Sequence, residues 1–259
     1  MNSEIVSSEK SGVPSPLQAT SCGSEHFLGL TTHAANAAYA APQLAASCEN
    51  GLLTVRSNNI PNFEFVPTTP NALEAQQVTF SLPANPTFAA ETTAVPLGGP
   101  SAITVNGILI FGPTEARRDG YRDPYFDDIL DYCNGHTAPG GVYHFHASPT
   151  CLFENSEGKV GLVIGYAFDG YPILNPYICA DAACADVQKV ESSWVVVDES
   201  VTHAWNRHAY VAGAGDLDEC NGMTFADGSY AYFATDTFPY FMGCYRGEID
   251  ANTLGIRLR

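Results

Sequence analysis

Positive charge is scarce in this 259-residue chain: three lysines (Lys10, Lys159 and Lys189) and eight arginines face 28 acidic residues, and the formal net charge is −17. A field of that sign repels phosphate backbones and anionic lipid, and no basic cluster opposes it, so nucleic acid is excluded as a partner. No stretch approaches the ~20 apolar residues of a membrane span, which argues against membrane insertion. The nucleophile elbow GxSxG, the zinc-protease HExxH and the phosphate loop are all missing, so the familiar hydrolase classes lose ground. No CxxC pair suggests a zinc ribbon or a redox motif. With three methionines in all, no thioether cluster points to Cu⁺.

The residues that are plentiful describe a turn-rich β protein. There are 23 glycines and 17 prolines, little helical periodicity, and a hydrophobic content of 45%, enough for a real core. The expected fold is mostly β: a sandwich- or barrel-like single domain with an internal pseudo-two-fold duplication, stapled by disulfides. Eight cysteines fall as neighbours in sequence, Cys22 with Cys48, Cys133 with Cys151, Cys179 with Cys184, and Cys220 with Cys244. Four disulfides in a secreted chain fit that count better than eight thiols in a reducing cytosol. Sequence does not fix their connectivity, and sequential pairing is a working assumption.

Three regions follow from texture. Residues 1–20 read as a disordered Ser/Pro/Glu leader without the apolar core of a signal peptide; for an exported chain the signal would already have been removed. Residues 21–50 are a cysteine-bracketed segment whose alanine-rich run is expected to form one short helix, with His26 and His33 solvated. Residues 51–259 are the β domain. Within it QQVTFSLP alternates and puts Val78, Phe80 and Leu82 on one face. TFAAETT reads as an edge strand and SSWVVVDES as a further strand.

The chain also repeats itself. Leu130-Asp131-Tyr132-Cys133-Asn134-Gly135-His136-Thr137 matches Leu217-Asp218-Glu219-Cys220-Asn221-Gly222-Met223-Thr224, and GVYHFHAS (141–148) continues in register as GSYAYFAT (228–235). Earlier, Asn106 to Pro113 aligns with Asp169 to Pro176. The units run over about 100–151 and 163–246, and the second carries an insert of 24 residues. Shared positions are candidates for scaffold, so Asp131 and Asp218 are expected in loop bonding and Gly135 and Gly222 at turns needing positive φ. Positions that differ are candidates for chemistry. His136, His144 and His146 occur in the first unit only, opposite Met223, Ala231 and Phe233.

Tyr143-His144-Phe145-His146 follows Pro139-Gly140-Gly141, so it reads as a strand leaving a turn. On a strand His144 and His146 share one face, roughly 6.6 Å apart along the chain, while Tyr143 and Phe145 can fill a core behind them. Two imidazoles so placed can close on one metal ion. His136, on the loop feeding the strand, is the candidate third ligand, and Asp169, whose repeat mate is the uncharged Asn106, is the candidate carboxylate. Imidazole-rich sites favour copper or zinc. A separate calcium site of oxygen ligands is possible where Asp119, Asp123, Asp127, Asp128 and Asp131 crowd one segment, although EF-hand spacing is absent. His203 and His208 are spaced for neither a helix face nor a strand face.

The run YHFHASPTCL, with LDYCNGHT before it, IGYAFDGYPI after it and LDECNGMTFADGSYAYFATDTFPYFMGCYRG near the end, resembles the YHYH protein domain. The resemblance covers about Leu52 to Gly247, including SNNIP (57–61) and VNGILIFGP (105–113), and implies an exported bacterial protein. The naming motif here reads YHFH, with Phe145 for the second tyrosine. His144 and His146 match it and carry over as candidate functional residues; Ala231 and Phe233 do not. The expected function is thus a secreted, periplasmic or cell-surface protein binding copper or zinc through its His-x-His strand. A metal-dependent hydrolase or lyase acting on an extracellular polymer is one alternative. A non-enzymatic adhesion or ligand-binding module with structural histidines is the other. A small-molecule or polysaccharide ligand stays open, as does whether the protein is an enzyme.

Overall fold

A computed structural model describes residues 13–17, 22–153 and 155–250. Of the expected leader, residues 1–12 and 18–20 lie outside the described residues. Strands β1 (Leu44–Glu49) and β2 (Leu52–Ser57) form a hairpin across Asn50-Gly51. Both turn residues are left-handed, with φ of 52° and 76°, the combination that a two-residue turn matched to strand twist requires and that Asn-Gly supplies cheaply. Strand β3 (Val78–Pro83) pairs with β2 and sets Val78, Phe80 and Leu82 beside Ser57, Val55 and Leu53 on one buried face. The alternation read from sequence is therefore the buried face.

The alanine-rich run of residues 21–50 is not a helix. It contains two single 3-10 turns, Ser24–His26 and Ala34–Asn36, and then enters β1. Tertiary partners override alanine's helix preference here. Cys48 is tied to Cys22 and sits in the β1–β2 ladder, while the buried Asn36 side chain donates to the carbonyls of Pro61 and Phe63 and accepts from the amide of Phe65.

The remaining strands follow in order: β4 (Phe88–Ala94), β5 (Pro100–Thr104), β6 (Leu109–Phe111), β7 (Gly135–Ala138), β8 (Val142–Phe145), β9 (Val163–Ala167) and β10 (Pro172–Leu174). The insert carries β11 (Tyr177–Cys179), β12 (Val187–Lys189), β13 (Trp194–Val196), the short helix α1 (Ala204–Arg207) and β14 (His208–Tyr210). Then come β15 (Gly222–Thr224), β16 (Tyr230–Phe233) and β17 (Cys244–Gly247). Eight strands make one sheet in the order β15-β16-β10-β9-β5-β6-β8-β7. Among the described residues β4 pairs only with β17, as an edge strand would. With β15 and β7 at its ends the large sheet stays open, so the barrel alternative does not hold. The three-stranded sheet lays its apolar face on it, Phe80 stacking on Phe168 at 4.5 Å, and both contribute to one continuous core.

Either side of the antiparallel β5–β9 contact, the same pairing scheme runs outward. β6 meets β8 in parallel and β8 meets β7 antiparallel; β10 meets β16 in parallel and β16 meets β15 antiparallel. The LDxCNG loops also use one set of bonds. Asp131 Oδ1 accepts from the amides of Cys133 (2.9 Å) and Gly135 (3.0 Å), and Oδ2 accepts from the Tyr143 hydroxyl (2.7 Å). Asp218 Oδ1 accepts from the amides of Cys220 and Gly222, both at 2.9 Å, and the Tyr230 hydroxyl donates to its Oδ2 at 3.1 Å. The positive φ expected at Gly135 and Gly222 belongs instead to the preceding Asn134 (63°) and Asn221 (64°). Each glycine is required for another reason: a Cβ at Gly135 would lie 2.3 Å from the Tyr143 hydroxyl oxygen, and one at Gly222 would lie 2.1 Å from that of Tyr230. All eight cysteines are bridged, pairing sequentially.

Candidate metal centre

Strand β8 leaves the Pro139-Gly140-Gly141 turn with Tyr143 and Phe145 facing one way and His144 the other. Phe63 lies 5.7 Å from Tyr143 and 5.9 Å from Phe145 between ring centroids, so the aromatic pair is anchored in the core. The register sets His144 opposite His136 of β7 and beside Leu109 of β6. One residue past β8, the His146 amide donates to the Asn134 carbonyl, which returns the chain to the LDYCNG loop. The frame that the two halves share thus aims three imidazoles at one point. Their exposures are 5% for His136, 2% for His144 and 1% for His146, so water solvates none of them freely. Phe111 stacks on His144 at 3.9 Å and fixes that ring.

The hydrogen bonds assign the tautomers. His144 Nδ1 lies 3.1 Å from the Val142 carbonyl and His146 Nδ1 lies 2.7 Å from the Gly112 carbonyl. A carbonyl only accepts, so both Nδ1 atoms carry the proton. In the neutral rings both Nε2 atoms are then bare lone pairs, yet they face each other at 2.8 Å. With both Nδ1 atoms protonated, a cation between the rings, either a shared proton or a metal ion, would satisfy this contact. Burial works against the proton. It pushes His144 well below the usual histidine range, helped by His146 and His136, and it lowers His146 to about 4, with His136 adding to the effect. Both rings are therefore neutral near pH 7, the state in which imidazole binds metal.

Glu115, on the loop after β6, lies beside two of these rings. Its Oε1 lies 3.1 Å from His136 Nε2 and 3.8 Å from His146 Nε2, and this buried oxygen has no well-aligned hydrogen bond among the described residues. His136 Nδ1 is likewise buried without a hydrogen-bond partner. Burial pushes the Glu115 carboxyl up, but the facing His136 and His146 more than offset it, and the group ends below the ordinary range.

The structure thus brings His136, His144 and His146 together, their ligand atoms all within 4.8 Å of one another, and this is the one such group of three or more metal-binding side chains among the described residues. Asp169 is not in it. It lies fully buried in the other half of the sheet, where its Oδ2 accepts from the Tyr232 hydroxyl (2.5 Å) and the Gly247 amide (2.9 Å), and burial raises it to about 6. The acidic segment considered for calcium does not converge either. Asp119 pairs with Arg118, Asp127 pairs with Arg122, Asp123 accepts from the Tyr240 hydroxyl and Asp131 belongs to its loop. Of the other histidines, His26 contacts the Tyr166 hydroxyl at 2.6 Å, His33 accepts from Ala35 N, His203 precedes α1 and His208 stacks on Phe238.

Sequence reasoning missed Glu115. A signal was present in the repeat: extending the Asn106–Asp169 alignment two residues past Pro113 and Pro176 sets Glu115 opposite Ile178, which is buried. The family described as YHYH protein matches residues 79–247, more than half of the chain. No curated protein and no solved structure matches.

Proposed function

The chain belongs to the YHYH protein family, and from that footing we propose that it is an exported protein binding one transition-metal ion, copper or zinc, through His136, His144 and His146. The carrying observation is the pair of bare Nε2 lone pairs 2.8 Å apart, both neutral and both buried. Burying unpaired polar groups is costly, and a bound cation removes that cost at one stroke. Three imidazole nitrogens suit Zn²⁺ or Cu²⁺ better than hard, oxygen-seeking ions. The carbonyls of Val142 and Gly112 orient two of the rings from behind, the arrangement that fixes tautomer and raises ligand basicity in metal sites.

Four disulfides support an oxidising compartment outside the cytosol. No described helix is long and apolar enough to cross a membrane. The matching strand order and loop bonds on either side of β5–β9 support an internal duplication in which one half kept the polar cluster. Calorimetric titration of tag-free protein with Zn²⁺ or Cu²⁺ tests the reading. One ion per chain is expected for the wild type and none for His144→Ala/His146→Ala; equal binding by the double variant overturns it.

A further inference from the structure

We infer that Glu115 is the fourth ligand of this centre, which makes it a closed N₃O site holding a structural ion rather than an open catalytic one. The inference rests on the three-histidine reading and goes beyond it in coordination and role.

Three independent observations carry it. The first is distance. Around a tetrahedral ion with bonds of 2.0–2.1 Å, ligand atoms stand about 3.3 Å apart. Three of the six separations, 2.8 Å for His144 Nε2 to His146 Nε2, 3.1 Å for Glu115 Oε1 to His136 Nε2 and 3.8 Å for Glu115 Oε1 to His146 Nε2, bracket that value, and the histidine ligand atoms all lie within 4.8 Å of one another. The second is satisfaction. Glu115 Oε1 is buried, faces two imidazole nitrogens and has no well-aligned hydrogen bond among the described residues. Carboxylate oxygens in folded interiors are rarely left so.

The third is the repeat. In sequence register Glu115, His136, His144 and His146 stand opposite Ile178, Met223, Ala231 and Phe233, and all four of those residues are buried and apolar. Where one half has a carboxylate and three imidazoles, the other half has hydrocarbon and sulfur at every one of the four positions.

With Glu115 bound, the ion ties three separate pieces of chain: the loop after β6, strand β7, and the end of β8. Structural zinc-type sites are four-coordinate and closed, whereas catalytic ones keep one position for water. The ion then acts as a fifth staple beside the four disulfides, holding the 112–122 loop against the hairpin.

Cobalt(II) is the probe, because its visible absorption reports coordination and it occupies zinc-type sites. Tag-free wild type, Glu115→Gln and Glu115→Ala are titrated with Co²⁺, and each complex is then exposed to azide. The expected results are an intense four-coordinate spectrum for the wild type that azide leaves unchanged, binding at least about tenfold weaker in Glu115→Gln, and an azide-shifted spectrum in Glu115→Ala. If the wild type binds Co²⁺ with the same affinity and spectrum as Glu115→Gln, or takes up azide, Glu115 is no ligand and the three-histidine reading stands alone. If the wild type binds no Co²⁺, the three-histidine reading itself falls and this inference with it. Azide on the wild type decides between closed and open even if a variant fails to fold.

Discussion

Adding Zn²⁺ to metal-free protein should raise its thermal midpoint. His136 lies on β7 and His144 and His146 at β8, so the full ligand set exists only when the two strands are paired. An ion that binds the native state alone stabilises it by about 2.7 kcal/mol when its free concentration is a hundred times Kd. The His-x-His pair, two residues apart, survives unfolding and keeps some affinity, so that figure is a ceiling. For a chain of this size one kcal/mol moves the midpoint by roughly 2–4 °C, which gives a rise of about 5–11 °C at most. Scanning calorimetry on tag-free protein, with chelator and then with buffered Zn²⁺, reads it directly. A midpoint indifferent to metal would refute the reasoning, as would an equal rise in His144→Ala/His146→Ala.

Further outcomes follow from the frame around the site. Tyr143→Phe removes the hydroxyl that donates to buried Asp131, and Tyr230→Phe does the same to Asp218; each should cost about 1–3 kcal/mol in urea unfolding, with similar values in the two halves. Asn221→Ala takes away amide bonds to the carbonyls of Phe233 and Phe241 at a φ of 64°, and a loss of about 2 kcal/mol is expected by the same assay. Burial holds Asp169 at about 6, above the ordinary aspartate value of about 3.8, so between those pH values the folded state keeps a proton there that the unfolded chain has released. Stability from this group is therefore present below pH ~4 and lost as pH rises to ~6, on the order of 3 kcal/mol in all; Asp169→Asn should remove that component from the pH profile, and an unchanged profile would contradict it. Cys220→Ser/Cys244→Ser opens a loop with a sequence separation of 24 and should cost about 3 kcal/mol in calorimetry.

Much of this protein is legible in its sequence because the signals are periodic or paired. The alternation of Val78, Phe80 and Leu82 predicts a buried face, and the register of LDYCNG on LDECNG predicts matching loops. The His-x-His spacing predicts convergent rings because strand geometry dictates it. What escaped depends on long-range contacts. The alanine run forms a 3-10 turn and then enters β1, held by the Cys22–Cys48 bridge and the β2 ladder, which no local propensity reports. Gly135 is required by the Tyr143 hydroxyl eight residues on, not by its own φ. Asp169 looked like a ligand because its repeat mate is uncharged, yet its partners are Tyr232 and Gly247, both far along the chain. Glu115 lies two residues past the aligned Asn106–Pro113 block; the repeat marks it as differing from Ile178, and the geometry of the site places it beside His136.

The central claim is that one metal ion is held where the Nε2 atoms of His144 and His146 meet. Anomalous diffraction from crystals of tag-free protein grown with Zn²⁺, collected on both sides of the zinc edge, tests it most directly. The account predicts a single strong peak within bonding distance of His136, His144 and His146. A peak elsewhere with that position empty, or no peak at all, would contradict it.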